Sequence, residues 1–133
     1  MDPERRPFVA GNWKMNVGGP EAAERAAAVA SAVGRHDRVD VLVAPPFTAL
    51  SVVRAALDSE DSGVALGAQN MSEEADGAFT GEISSSMLRA AGVTWVLIGH
   101  SERRQKSGET DELVAKKTAR AMSTGPRPIV CVG

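Results

Sequence analysis

The stretch that decides the fold is Thr94-Trp95-Val96-Leu97-Ile98-Gly99-His100-Ser101-Glu102-Arg103-Arg104-Gln105. Its first half is a short apolar run closed by a glycine. Its second half is polar and can turn into a helix. A buried strand that ends in this way sets a neutralisable base and fixed cations at its carboxyl end, where α/β enzymes build their sites. An earlier segment, Ala10-Gly11-Asn12-Trp13-Lys14-Met15-Asn16, ends the same way and adds an amide and an ammonium group.

Working outward, five short apolar runs occupy positions 8–13, 39–44, 64–69, 94–99 and 128–132. Each is closed by turn or polar residues, as a parallel strand covered on both faces should be. They start about thirty residues apart, the length of one β-α-β repeat. The segments between them read as helices. In the first, Pro20 suits the opening turn, Ala22, Ala26, Val29 and Val33 recur at helical spacing, and Gly34 caps the end. The second carries Leu50, Val53 and Leu57 on one face. The third carries Ile83, Met87 and Ala91 and ends at Gly92; Ser84-Ser85-Ser86 lacks a G-x-S-x-G context and reads as its start. The fourth opens at Thr110, places Asp111 and Glu112 at the positive dipole end, and stops at Gly125-Pro126. Positions 70–81 are polar and glycine-dotted, long for a βα connection, and mark a functional or interface loop. The order β-α-β-α-β-α-β-α-β fits a doubly wound sheet or part of a (β/α)8 barrel, and periodicity alone does not choose.

Composition narrows the functional classes. The 133 residues are 43% hydrophobic and 24% charged, ordinary for a globular domain. A net charge of −2 and a pI near 5.7 give no basic stripe for nucleic acid. The pairs Arg103-Arg104 and Lys116-Lys117 are flanked by carboxylates and read as solvated helix faces. Cys131 is the only cysteine, which favours a reducing compartment. The opening Met1-Asp2-Pro3-Glu4-Arg5-Arg6 leads into no long apolar segment, and no run approaches the roughly 20 apolar residues of a spanning helix. A cytoplasmic, soluble protein is therefore expected.

Strand alternation puts Asn12 and Lys14 on one face with Trp13 opposite, a pairing suited to an anionic, oxygen-rich substrate. A lysine at a strand end also commonly just extends into solvent. Val96, Ile98 and His100 share a face of the fourth strand, where a lone histidine is often a structural residue. The helix expected to open at Ser101 changes that balance: its backbone N–H groups point back at His100 and favour a neutral imidazole, able to donate a hydrogen bond to a carbonyl or enediolate oxygen. Glu102 suits either a partner for Lys14 or a charge at the helix start. No G-x-G-x-x-G or G-x-x-x-x-G-K motif occurs, and His36, His100 and Cys131 lack metal-ligand spacing.

These residues carry a family resemblance. The segments 10–16, Ala44-Pro45-Pro46-Phe47, Gly67-Ala68-Gln69-Asn70, 77–84, 97–105 with Gly108-Glu109, and 129–133 resemble, in order, the amino-terminal half of the triosephosphate isomerase family. The resemblance implies an α/β fold, a partial TIM (β/α)8 barrel running roughly from β1-α1 through β5, with residues 1–133 as the amino-terminal portion of one barrel domain. It implies an isomerase of glycolysis and gluconeogenesis that interconverts dihydroxyacetone phosphate and D-glyceraldehyde 3-phosphate through an enediolate, with no metal or organic cofactor. By the same resemblance, Asn12 lines the substrate site and Lys14 binds the phosphorylated triose and offsets developing charge. His100 is the neutral electrophile, an arrangement well known in this family. Ser101 contacts the catalytic base, Glu102 pairs with Lys14, and Cys131 packs behind the site or serves as a small buried hydrophobe. The loop with Thr80 resembles an interdigitating homodimer loop supported by Gln69 and Glu82.

A complete barrel takes roughly 250 residues. The resemblance therefore implies that the family's catalytic glutamate, lid and later phosphate-gripping loops lie beyond this sequence. Little isomerase activity is expected of the chain alone. A truncated barrel with uncovered strand edges is expected to self-associate or to recruit a complementing half. An unrelated phosphate-binding α/β domain would explain the spacing but not the joint motifs.

Overall fold

The computed structural model describes residues 5–35 and 37–133; positions 1–4 and His36, including the expectations that fall on them, lie outside the described residues. The chain divides into two compact units, Met1–Gly67 and Ala68–Gly133.

In the first unit, β1 (Phe8–Asn12), α1 (Gly19–Val33), β2 (Asp40–Ala44), a 3-10 turn (Phe47–Ala49), α2 (Leu50–Ser59) and β3 (Ala65–Ala68) run in sequence. β3 ends one residue into the second unit. β1 runs parallel to β2 from Phe8 opposite Asp40 to Asn12 opposite Ala44, and β2 pairs with β3 through Leu42 opposite Ala65 and Val43 opposite Leu66. Pro20 lies in the first turn of α1, and Gly34 turns out of it with its N–H on the Ala30 carbonyl at 2.8 Å. The buried stripe of α1 is Ala22, Ala26 and Ala30, while Val29 and Val33 are only partly covered, so small residues bring the helix axis close to its neighbours. α2 buries Leu50, Val53 and Leu57 as their spacing requires. Gly67 makes room for a neighbour: a Cβ there would lie 2.9 Å from Leu42 Cδ1, so the leucine would have to shift.

The second unit contains α3 (Ser85–Ala90), β4 (Trp95–Ile98), α4 (Ser101–Lys106), α5 (Asp111–Thr124) and β5 (Arg127–Val130). β4 and β5 are parallel, from Trp95 opposite Arg127 to Ile98 opposite Val130. Ser84 caps α3 by accepting the Met87 N–H, and Thr110 caps α5 by accepting the Leu113 N–H at 3.2 Å. The face expected for α3 is corrected. Met87 is 51% exposed, and Ser85 and Leu88 are the buried positions. The Ser84 cap starts the helix at Ser85, which leaves Ile83 outside it and rotates Met87 outward.

Five strands alternating with helices, with β1, β2 and β3 paired in parallel in chain order and β4 paired in parallel with β5, match the fold class of a partial TIM barrel. The 3-10 turn after Pro45-Pro46 is an addition to the sequence reading.

Candidate active site

At the end of β1 the strand stops at Asn12, and alternation no longer places the residues after it. Trp13 donates its N–H to the Ala44 carbonyl at 3.0 Å, and Lys14 then adopts φ +55. Lys14 therefore lies in a left-handed turn just past the strand, and this turn rather than strand alternation sets its placement. Asn12 Oδ1 accepts the Lys14 N–H at 2.9 Å, and Asn16 Nδ2 donates to the Trp13 carbonyl at 2.9 Å. Such a conformation costs a non-glycine residue about 1–3 kcal/mol and concentrates at functional sites. The bond from Lys14 N to Asn12 Oδ1 makes Asn12 a brace for the lysine backbone as well as a candidate substrate contact.

At the end of β4 a second left-handed residue intervenes. Gly99 at φ +72 breaks the alternation between Ile98 and His100, so the histidine is placed by a glycine turn and a helix start rather than by strand period. His100 is the N-cap of α4, and its Nδ1 accepts the Glu102 N–H at 3.1 Å. A nitrogen that accepts carries the lone pair, so Nε2 bears the proton of the neutral ring. Glu102 Oε2 lies 3.5 Å from Nδ1, outside hydrogen-bond range, and the backbone amide holds that position. His100, Ser101, Arg104 and Cys131 line one cleft of about 240 Å³. Burial pushes the Cys131 thiol up, with Arg104 pulling the other way, and the net result is a poor nucleophile.

The same unit also holds a buried charged cluster. Lys117 Nζ donates to Asn70 Oδ1 at 2.8 Å and to Glu109 Oε2 at 3.0 Å, and Arg103 Nε donates to the same Glu109 oxygen. Lys117 is 3% exposed and Glu109 6%. Burial pushes the Glu109 carboxyl up, but the hydrogen bonds and charges of Arg103 and Lys117 outweigh it and hold the group below its ordinary range. The reading of Arg103-Arg104 and Lys116-Lys117 as solvated faces is corrected on this point. Lys116 is exposed, whereas Lys117 falls on the same helix stripe as Val114 and Ala121 and is buried with its partners. Arg103 turns to Glu109, and Arg104 turns to backbone carbonyls.

The triosephosphate isomerase family model matches residues 7–133. The chain belongs to the triosephosphate isomerase family. It is 50% identical over 129 residues to the triosephosphate isomerase of Herpetosiphon aurantiacus, covering 97% of this chain and 51% of that protein. It is 51% identical over 129 residues to that of Carboxydothermus hydrogenoformans, with the same coverage, and 45% identical over 131 residues to that of Corynebacterium efficiens, covering 97% and 50%. The chain spans about half the length of the curated relatives it matches.

The loop expected to carry this family's subunit contact is tied at its base by the Ser72 N–H to the Ile83 carbonyl at 2.8 Å. Asp76 accepts from the hydroxyls of Ser84 and of Ser86, the latter at 2.6 Å, and these bonds hold its carboxyl below its usual range. Thr80 and Glu82 are exposed, Gln69 is half-buried, and Glu82 donates its N–H to the Phe79 carbonyl at 3.0 Å. Asp76, Ser84 and Ser86 are loop-holding residues that the sequence reading missed; a serine triplet eight residues after an aspartate was the available signal. Among the described residues no group of three or more His, Cys, Asp or Glu side chains is placed to hold a metal, and no helix is long and apolar enough to cross a membrane.

Proposed function

We propose that this chain supplies the electrophile and the cation of a triosephosphate isomerase site acting on dihydroxyacetone phosphate and D-glyceraldehyde 3-phosphate in the cytoplasm. The observation that carries the reading is His100 Nδ1 accepting the Glu102 N–H at the start of α4. A neutral ring with its proton on Nε2 can donate to the substrate carbonyl, support the enediolate and return a proton without passing through a doubly charged pair. Lys14 binds the phosphorylated substrate and offsets the enediolate charge, with Glu102 as its ion-pair partner and Asn12 lining the site. Ser101 faces the proton-removing carboxylate, and Cys131 packs behind the ring. That carboxylate is assigned to a glutamate outside these 133 residues, as are the lid and the later phosphate loops. Thr80, Gln69 and Glu82 belong to a homodimer loop.

Complementation tests the reading. The purified chain is mixed with the carboxyl-terminal half of a relative, and isomerisation of glyceraldehyde 3-phosphate is followed. Activity is expected in the mixture, and loss of about 10²–10⁴-fold with Lys14→Ala or His100→Gln. Equal rates with wild type and both variants would overturn the assignment. The chain alone is expected to turn over no faster than the Lys14→Ala control.

A second reading, a self-associating or complementing half-barrel without its own activity, is favoured by an exposed apolar strand residue: Val9 on β1 is 58% exposed. Sedimentation of the chain alone is expected to show dimers or larger species. A monodisperse monomer of about 13.9 kDa would count against this reading.

A further inference from the structure

The last paired residues of β4 and β5 are Ile98 and Val130, and one further rung joins the Cys131 N–H to the Ile98 carbonyl at 2.8 Å. Beyond it two carbonyls, those of Gly99 and Cys131, are left without strand donors. Both are acceptors, so neither can satisfy the other. Arg104 supplies what is missing: its Nε donates to Gly99 O at 2.8 Å and its Nη2 to Cys131 O at 3.2 Å, while Nη1 reaches Asp111 Oδ1 at 2.6 Å. One planar guanidinium thus spans the two strand ends and the first turn of α5, a task for a rigid fork of donors that a lysine's single ammonium cannot reproduce.

The bond to Gly99 O bears directly on the site. This carbonyl belongs to the peptide that precedes His100, so its orientation sets the direction in which the histidine leaves the backbone. Glycine restricts that peptide least of all residues. Packing does part of the work, since a Cβ at Gly99 would fall 2.9 Å from both Val114 methyl carbons and 3.1 Å from Arg104 Nη2. The hydrogen bond from Arg104 does the rest.

We propose that Arg104 is a positioning residue for His100: by bridging the Gly99 and Cys131 carbonyls it fixes the peptide before the histidine and keeps Nδ1 on the Glu102 amide. The proposal rests on the reading of His100 as the electrophile. It is distinct from a role in stability, because it concerns which ring nitrogen carries the proton. Asp111 is 95% exposed in its side chain, so its ion pair with Arg104 is an accessory to the carbonyl contacts.

The test uses the chain labelled with ¹⁵N-histidine and ¹⁵N-arginine in a His36→Gln background, with long-range proton–nitrogen spectra reporting the two ring nitrogens of His100 and one-bond spectra the Arg104 Nε–H. Wild type is expected to show the Nε2–H tautomer alone. Arg104→Gln and Arg104→Lys are expected to give averaged nitrogen shifts, with a several-fold rise in the other tautomer, and Asp111→Asn is expected to keep the wild-type pattern. Wild-type His100 shifts in a folded Arg104→Gln or Arg104→Lys chain, with only the melting temperature lowered, would overturn the proposal. Should both variants unfold, warming the wild type below its midpoint decides. Loss of the Arg104 Nε–H signal with no change at His100 overturns the role; joint change supports it. Failure of the functional reading looks different: an intact wild-type tautomer that does not respond to dihydroxyacetone phosphate when the complementing half is present.

Discussion

Two strand ends turn through a left-handed residue, and they do so by opposite means. After β1 the residue is Lys14 at φ +55, exposed, in a turn braced by short-range bonds through Asn12 and Asn16 and by the Trp13 N–H on the Ala44 carbonyl. After β4 it is Gly99 at φ +72, buried, with its carbonyl held by Arg104 and its surroundings tied to residues far away in sequence, as Arg104 to Cys131 and Lys117 to Asn70. At the first end a side chain is required, so strain is accepted on an open turn. At the second no side chain fits, so glycine is required and the surrounding frame supplies rigidity. The proposed cation therefore sits on an exposed, strained turn, and the proposed electrophile on a buried, cross-braced one.

The largest expected effect lies in that bracing. Glu109→Gln leaves Arg103 and the buried Lys117 without their carboxylate, and removing one partner of a buried pair costs about 3–5 kcal/mol. The denaturation midpoint should fall with the slope unchanged; a loss under about 1 kcal/mol would mean that the frame is held by something else. The pH dependence has a definite sign. The folded carboxyl ionises below its ordinary value of 4.5, so its stabilisation is complete above that value and is lost as pH falls through the lower folded one. The gap between wild type and Glu109→Gln should therefore narrow on acidification below about 4.5.

Next in size is Gly99→Ala, which adds left-handed strain of about 1–2 kcal/mol and forces the new methyl against Val114. A total near 2–3 kcal/mol is expected by thermal or chemical unfolding. The mirror substitution sharpens the comparison. Lys14→Gly relieves the strain at the other end and should raise stability by up to about 1 kcal/mol while abolishing activity in the complemented enzyme. If both variants were destabilised equally, the two ends would not differ in the way described.

How much of this was legible depends on the range of the signal. The α2 stripe Leu50, Val53, Leu57, the opening of α5 at Thr110, and the helix amide at His100 are local patterns, and the structure shows them where the sequence indicated. The left-handed turn at Lys14 was not legible, because nothing in Trp13-Lys14-Met15 marks a residue that tolerates positive φ. Lys117 looks like Lys116 until a partner at Asn70, far away in sequence, is known. The Arg104 bridge was invisible for a deeper reason: its acceptors are backbone carbonyls, which every residue carries, so side-chain identity along the chain says nothing of where they converge.

The smallest expected effect tests whether an ion pair as such matters or only its burial. Arg35 and Asp61 form a pair in the first unit in which hydrogen bonding to the partner is the largest influence, lowering the Asp61 carboxyl and raising the Arg35 guanidinium, whereas at Glu109 burial is the largest and opposes the partners. Both side chains are largely exposed, at 69% and 79%. Water and salt already solvate each partner well, and holding two long side chains together costs rotamer freedom that offsets the attraction. Arg35→Ala should therefore leave the unfolding midpoint unchanged within error, at low and at high salt alike. A clear loss at low salt that vanished at high salt would show that exposed charge contributes in the first unit as buried charge does in the second, and the contrast would then rest on the left-handed turns alone.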